Sequence, residues 1–297
     1  KKTFFTFFNS IISGNVPYVS LGKWLDFMRQ HNASHDMSQI KLMPIFDLNI
    51  DKLTAYGQVF KKTQIGVWVT PQAYKVAFEG PDVDGAFIYP RNALKPLKAD
   101  LKLLRLTHLD KQQQAAHLTA QFFKKIPPIE GKIDQLFLNQ DLMGSVEFNL
   151  KNTDQVLTVA HLMLSKNQDY RIDIEDSSLA YGSDQPHIIL NGGVQSQDWG
   201  ELLSLLGYPH LIHAGRGMFD FAIEWSNQTN QWLEPNWSTL EGHMNFDFHD
   251  GAITEINPGI ARVFGFFSLD AIARRLKLNF SDTTQCQENS GFHSNRD

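Results

Sequence analysis

The chain has 297 residues, is 42% hydrophobic and carries a formal net charge of −5. It can therefore bury a sizeable core, and it lacks both the composition of a disordered chain and the basic field that nucleic acid requires. Its one cysteine, Cys286, excludes an internal disulfide framework, while phenylalanine occurs 22 times, which suits strands or apolar surfaces.

The first residues, Lys1-Lys2-Thr3-Phe4-Phe5-Thr6-Phe7-Phe8, are interrupted by Asn9 and Ser10 too soon to cross a bilayer, and they lack a signal-peptide cleavage pattern. They are read as the cut edge of a larger protein. Residues 1–44 read as a helical lead-in, because Leu21, Trp24, Leu25 and Met28 recur at helical spacing after a possible cap at Ser20.

From Ile45 the period becomes two. Leu48 and Ile50 begin it, followed by Ile65, Val67 and Val69, by Tyr74, Val76 and Phe78, and by Val146, Phe148 and Leu150. The same alternation returns in Tyr170, Ile172 and Ile174, in Phe219, Phe221, Ile223 and Trp225, and in Met244, Phe246 and Phe248. Such runs predict a mainly β protein, an extended antiparallel sheet with one apolar and one polar face. Turns are expected at Glu79-Gly80-Pro81, Pro90-Arg91-Asn92, Asn191-Gly192-Gly193, Gly215 to Gly217 and Asp250-Gly251. Asn49-Ile50-Asp51-Lys52-Leu53 and Lys132-Ile133-Asp134-Gln135-Leu136 resemble each other, which implies a weak repeat of roughly 85 residues, the unit of a stacked sheet. Residues 45–194 are thus a repeated β segment.

Two helices are expected in residues 195–282. Trp199, Leu202, Leu203 and Leu206 form one stripe that Gly207 and Pro209 stop, and Asn257-Pro258 opens a second helix running to about Leu276. Residues 283–297 contain one large apolar residue, Phe292, and read as a disordered tail.

The segment Gly200-Glu201-Leu202-Leu203-Ser204-Leu205-Leu206-Gly207-Tyr208-Pro209 resembles the "Gly-x-Leu-Leu-x-x-Leu-Gly-Tyr-Pro" stretch of YhdP-type proteins in the AsmA-like superfamily. The likeness continues through Asn257-Pro258-Gly259-Ile260-Ala261-Arg262-Val263-Phe264-Gly265-Phe266-Phe267-Ser268-Leu269 and Ala273-Arg274-Arg275-Leu276-Lys277-Leu278-Asn279-Phe280-Ser281-Asp282. This part is similar to "Pro-Gly-x-x-Arg-x-x-Gly-Leu-x-Ser-Leu … Arg-Arg-Leu-x-Leu-x-Phe-x-Asp", with Phe266 in place of the usual Leu. Beyond Asp282 the chain departs from the family's "Phe-x-x-Gly-Phe-x-Phe-Asp" continuation.

The resemblance implies a curved sheet with an apolar groove, in a bacterial protein that lies in the periplasm and is anchored to the inner membrane through other parts of the full-length molecule. It implies a non-catalytic segment that conducts phospholipid towards the outer membrane, with acyl chains as ligand, no cofactor and other envelope proteins as further possible partners. A scaffold acting through its sheet edges is the alternative. The alternating strands would equally suit a dry core between layers. Candidate groove residues are Val67, Val69, Val76, Phe78, Val146, Phe148, Leu150, Ile172, Ile174, Phe219, Phe221 and Ile223. Phe264, Phe266, Phe267, Leu269, Ile272, Arg274 and Arg275 are candidates for a helix at a membrane or groove end, although a core helix with surface arginines has the same pattern.

No catalytic or metal centre is expected. His31 and His35, His210 and His213, and His243 and His249 lack a third ligand, and Glu175-Asp176 or Asp247 with Asp250 read as solvated carboxylates. No nucleophile elbow or phosphate loop occurs.

Overall fold

The computed structural model describes residues 11–21, 23, 45–55, 58–70, 72–92, 95–107, 123–124, 126–153, 155–182, 185–206, 212–227, 236 and 238–253. These form one sheet in which thirteen strands follow one another in chain order. The strands are β1 (Ile11–Ser20), β2 (Ile45–Ala55), β3 (Gln58–Val69), β4 (Ala73–Glu79), β5 (Val83–Pro90), β6 (Leu97–Leu106) and β7 (Ile129–Leu138). They continue as β8 (Asp141–Thr153), β9 (Val156–Lys166), β10 (Tyr170–Ala180), β11 (His187–Ser196), β12 (Ile212–Ser226) and β13 (Glu241–Ile253). The seven-residue helix α1 (Trp199–Leu205) lies between β11 and β12. The sheet does not close, so β1 and β13 are its edges.

Period-two sequence became strand throughout, because alternate apolar positions let each strand bury one face and leave the other wet. Two features correct the expected antiparallel ladder. β1 pairs with β2 in parallel, and so does β6 with β7. Each parallel junction requires a crossover, supplied by segments 21–44 and 107–128. The two similar stretches, at Ile50 and at Ile133, lie in β2 and β7, the strands that follow these crossovers.

Residues 11–20, expected in a helical lead-in, form β1. Val16 opposite Ile50 and Val19 opposite Leu53 show that pairing, rather than local propensity, determines their conformation. The expected stripe at Trp24, Leu25 and Met28 lies outside the described residues.

Three expected turns are strand interior. Asn191-Gly192-Gly193 lies within β11, where a Cβ on Gly192 would meet the Asp173 carbonyl oxygen at 2.3 Å and the Phe221 ring at 2.9 Å. Glycine is there to let two neighbours approach, not to turn the chain. Gly215 to Gly217 lies within β12 and Asp250-Gly251 within β13. At that point Ala214, Gly215 and Asp250 all take positive φ (55°, 90° and 57°), and the pairing passes from Ala214 opposite Gly251 to Arg216 opposite His249. The ladder is kinked there but continues.

The sheet curls at one place that side chains identify. The hairpin β4–β5 is short, and beyond its tip β3 and β6 meet. The backbone N–H of Thr107 donates to Oε1 of the buried Gln58 at 2.8 Å, and Gln58 Nε2 donates to the Thr107 carbonyl at 3.1 Å. Strands three places apart in a flat sheet would lie about 14 Å from one another. One amide side chain thus takes the place of a missing pair of strands.

Candidate functional site

The pairing registers place every candidate groove residue on one face. One row crosses the strands from β2 to β13 as Leu48, Ile65, Phe78, Gly85, Leu101, Ile133, Val146, Leu164, Ile172, Val194, Phe219 and Phe246. A second runs beside it as Phe46, Val67, Val76, Phe87, Ala99, Gly131, Phe148, Leu162, Ile174, Gly192, Phe221 and Met244. No position in either row is polar. Leu150 and Ile223 fall on the same face, opposite Ile129 and Leu190. Val69 stands opposite Tyr74 in β3, and its side chain is outside what is described.

The opposite face is different in kind. Its matching row reads Asp47, Gly66, Ala77, Ala86, Asp100, Lys132, Glu147, Met163, Asp173, Gly193, Asp220 and Asn245. Lys132 lies 3.6 Å from Asp100 and 3.4 Å from Asp134. Its pKa is raised, first by the hydrogen bond to Asp134 and then by the charge of Asp100. Arg171 reaches Asp173 at 2.6 Å. These exposed pairs contribute little stability, but they keep this face hydrated.

Burial of the apolar face varies along it. Ile65, Val67, Phe78, Leu101, Ile133, Val146, Ile172, Ile174, Phe219, Phe221 and Ile223 are buried, whereas Val76, Phe148 and Leu150 are half-buried. The row ends in the open, with Phe246 41% and Met244 38% exposed.

Two covers lie on it. Helix α1 starts at Asp198, whose carboxylate accepts from the Glu201 N–H at 2.9 Å and so satisfies a free donor of the first turn. It buries Trp199, Leu202 and Leu203, each apolar side chain contributing about 1.5–3 kcal/mol. Trp199 meets the Phe246 ring edge-on at 5.4 Å, and Leu205 and Leu206 reach the cluster of Leu106, Leu138 and Met143. The sequence reading placed this helix correctly but not the face it covers.

The second cover was not expected at all. Phe123, at the end of the β6–β7 crossover, stacks on Tyr181 with centroids 5.7 Å apart. Asn152 Nδ2 donates to the carbonyls of Phe123 and Ile126 at 2.6 and 2.7 Å, and the Tyr181 hydroxyl donates to Asn152 Oδ1 at 2.9 Å. Thus α1 lies over the start of β8 and Phe123 over its end. Phe123 belongs to a two-residue aromatic pair with Phe122 between Gln121 and Lys124, too short a run for periodicity to signal the contact.

One buried hydroxyl lies under α1. Tyr170 donates to the Met143 carbonyl, and burial, then the charges of Glu201 and Asp169, push its pKa well above the usual tyrosine value.

The seven candidates on the expected membrane or groove-end helix, Phe264 through Arg275, lie outside the described residues. So do His31, His35 and His210. His243 and His249 are exposed on β13, His249 paired with Asp247 at 2.9 Å, and Glu175 faces His161 at 3.5 Å. Among the described residues no group of three or more His, Cys, Asp or Glu is arranged to hold a metal, and no helix is long and apolar enough to cross a membrane.

The resemblance implied a curved sheet, and the described strands form one unclosed sheet that is apolar on one side from β2 to β13. The family model described as YhdP protein matches residues 8–287. The chain belongs to the YhdP family. No curated protein matches it. The match spans the parallel junctions, both apolar rows and α1, so the whole described sheet belongs to the family's own fold rather than to an added module.

Proposed function

We propose that this YhdP-family chain is a non-catalytic part of the bacterial cell envelope that binds phospholipid acyl chains and conducts them between the inner and outer membranes. The observation that carries this reading is the pair of unbroken apolar rows crossing the sheet at right angles to its strands. An acyl chain in water costs about 0.8 kcal/mol per exposed methylene, so a route must cover it continuously. A polar residue in either row would interrupt such a route, and none occurs. Side chains of Phe, Leu, Ile and Val are sufficient for the task, with no acid, base or metal.

Support also comes from the graded burial. A face meant only as a core would be sealed along its length, yet this one is half-buried at Phe148 and Val76 and open at Phe246. Helix α1 and Phe123 would then act as side walls of the route.

Lipid extraction and native mass spectrometry of the purified chain test the reading, with co-purified phospholipid the expected result. Phe148→Asp, at a half-buried row position, should remove the lipid and leave the circular dichroism of the sheet intact. Glu147→Gln, on the opposite face, should do neither. Folded protein without lipid in both the parent and the variant would overturn the proposal. Cross-links in cells to proteins along the sheet edges, with none to acyl chains, would favour the scaffold reading instead.

A further inference from the structure

At one end of the β4–β5 hairpin the apolar face changes character. Along β4 the positions on that face are Phe78, Val76 and Tyr74, and opposite them in β5 lie Gly85, Phe87 and Tyr89. Phe78 is buried, Val76 and Phe87 are half-buried, and Tyr89 is 43% exposed. Over four residues of strand, about 13 Å, the surface passes from a buried phenylalanine to a pair of phenols. A tyrosine combines an apolar ring with a polar tip, which suits the line where apolar surface meets water.

Arg91 stands at this end. Its backbone N–H donates to the Gln72 carbonyl at 2.9 Å, which ties the end of β5 to the residue before β4. Thr70 holds the same place, its N–H donating to the Ala73 carbonyl at 2.8 Å and its hydroxyl accepting from the Ala73 N–H at 2.9 Å. So positioned, the Arg91 guanidinium lies over the Tyr74 ring, 5.2 Å from its centroid. Stacking occupies a face of the guanidinium and not the N–H donors along its edge.

The other described arginines are matched to carboxylates. Arg105 faces Asp82 at 3.9 Å and donates to the Asn139 carbonyl at 2.8 Å, Arg171 meets Asp173 at 2.6 Å, and Arg216 meets Asp250 at 2.9 Å. Among the described residues Arg91 is in no ion pair, and its side-chain contact is the Tyr74 ring.

A fork of donors without an anion, at the end of an apolar track, has the chemistry to bind an oxyanion that carries apolar chains. We infer that Arg91, with the Tyr74 and Tyr89 hydroxyls, binds the phosphate of a phospholipid whose acyl chains lie over Val76 and Phe87. The inference rests on the lipid reading above and adds an orientation to it. The headgroup stands at the Tyr74 end of the hairpin, and the chains run inward from it towards Phe78.

Calorimetric titration of the whole chain tests it with three probes: dihexanoyl phosphatidylglycerol, dihexanoylglycerol, which has the same chains without the phosphate, and inorganic phosphate. Arg91→Gln should weaken phosphatidylglycerol binding about tenfold and leave dihexanoylglycerol within about twofold. Arg91→Lys keeps the charge and should recover part of the loss. Lys75→Gln should change neither lipid, because Lys75 adjoins Tyr74 in β4 but lies on the opposite face, 5.9 Å from the Trp68 ring. Raising the salt should weaken phosphatidylglycerol and not dihexanoylglycerol in the parent chain, a measure that needs no variant to fold. Inorganic phosphate bound as tightly as the phospholipid would reveal an adventitious ion only and overturn the inference. Equal losses of both lipids in Arg91→Gln would overturn it too, by making the residue structural. If dihexanoylglycerol binds the parent and Arg91→Gln spares both lipids, the inference fails and the lipid reading stands; if neither lipid binds the parent, both fail.

Discussion

Phe219 in β12 and Phe246 in β13 are paired residues of the same row, yet the first is 3% exposed and the second 41%. Phe221 and Met244, paired in the next row, repeat the contrast at 3% and 38%. Residue type and strand geometry are alike in the two places. What differs is the surroundings, because β12 has strands on both sides and α1 above it, whereas β13, among the described residues, has a strand on one side only. Periodicity therefore assigns a face, and neighbours decide whether the face becomes core.

The comparison can be broken by urea unfolding of matched truncations. Phe221→Ala should cost about 3–5 kcal/mol and Met244→Ala less than about 1 kcal/mol. Equal costs would mean that β13 is covered in solution. Removing part of the helix instead of the strand should give Leu202→Ala a cost of about 2–5 kcal/mol, with faster amide exchange concentrated in β12. Exchange that rises equally in β3 would show that α1 is not a local cover.

A subtler change sharpens the contrast from below. Gly192→Ala adds a methyl between the Asp173 carbonyl and the Phe221 ring and should cost about 1–3 kcal/mol. Gly14→Ala, at a position where the added Cβ meets nothing within 4 Å, should be close to neutral.

A pH-dependent effect concerns Tyr170, beneath α1. Its folded pKa is raised, so the neutral phenol is favoured in the folded chain, and the associated stability is complete below the unfolded value of about 10. It is lost as pH rises above that value, because the unfolded chain then binds fewer protons. Tyr170→Phe should cost about 0.5–1.5 kcal/mol at neutral pH, from the lost bond to the Met143 carbonyl, and should flatten the decline between pH 10 and 11. Denaturation midpoints across that range would check both effects.

Much of this fold can be read from alternation alone. Runs such as Ile65-Gly66-Val67 and Phe219-Asp220-Phe221 declare strand and face together, and α1 is declared by its stripe and its stop at Gly207. Glycine misled the reading in β11, β12 and β13, because a residue that allows close approach between strands has the same letter as one that turns a chain. Parallel pairing was not legible either. The partner of β2 lies across a crossover, and nothing local to Phe46-Asp47-Leu48 distinguishes a strand entering in parallel from one entering by a hairpin. Gln58 and Phe123 are the clearest cases of tertiary information, since both act on residues distant in sequence that no window around them contains.

Strand order equal to chain order has a consequence for assembly. Because the backbone ladder of each described strand joins it only to the strands before and after it, no ladder must wait for a distant part of the chain. The sheet can grow from one edge like a zipper, each new strand docking on a template that is already complete. Stability should then accumulate interface by interface, as in a one-dimensional stack. Such a molecule lengthens by repetition without redesign of its interior, and damage to one strand is felt chiefly by its two neighbours.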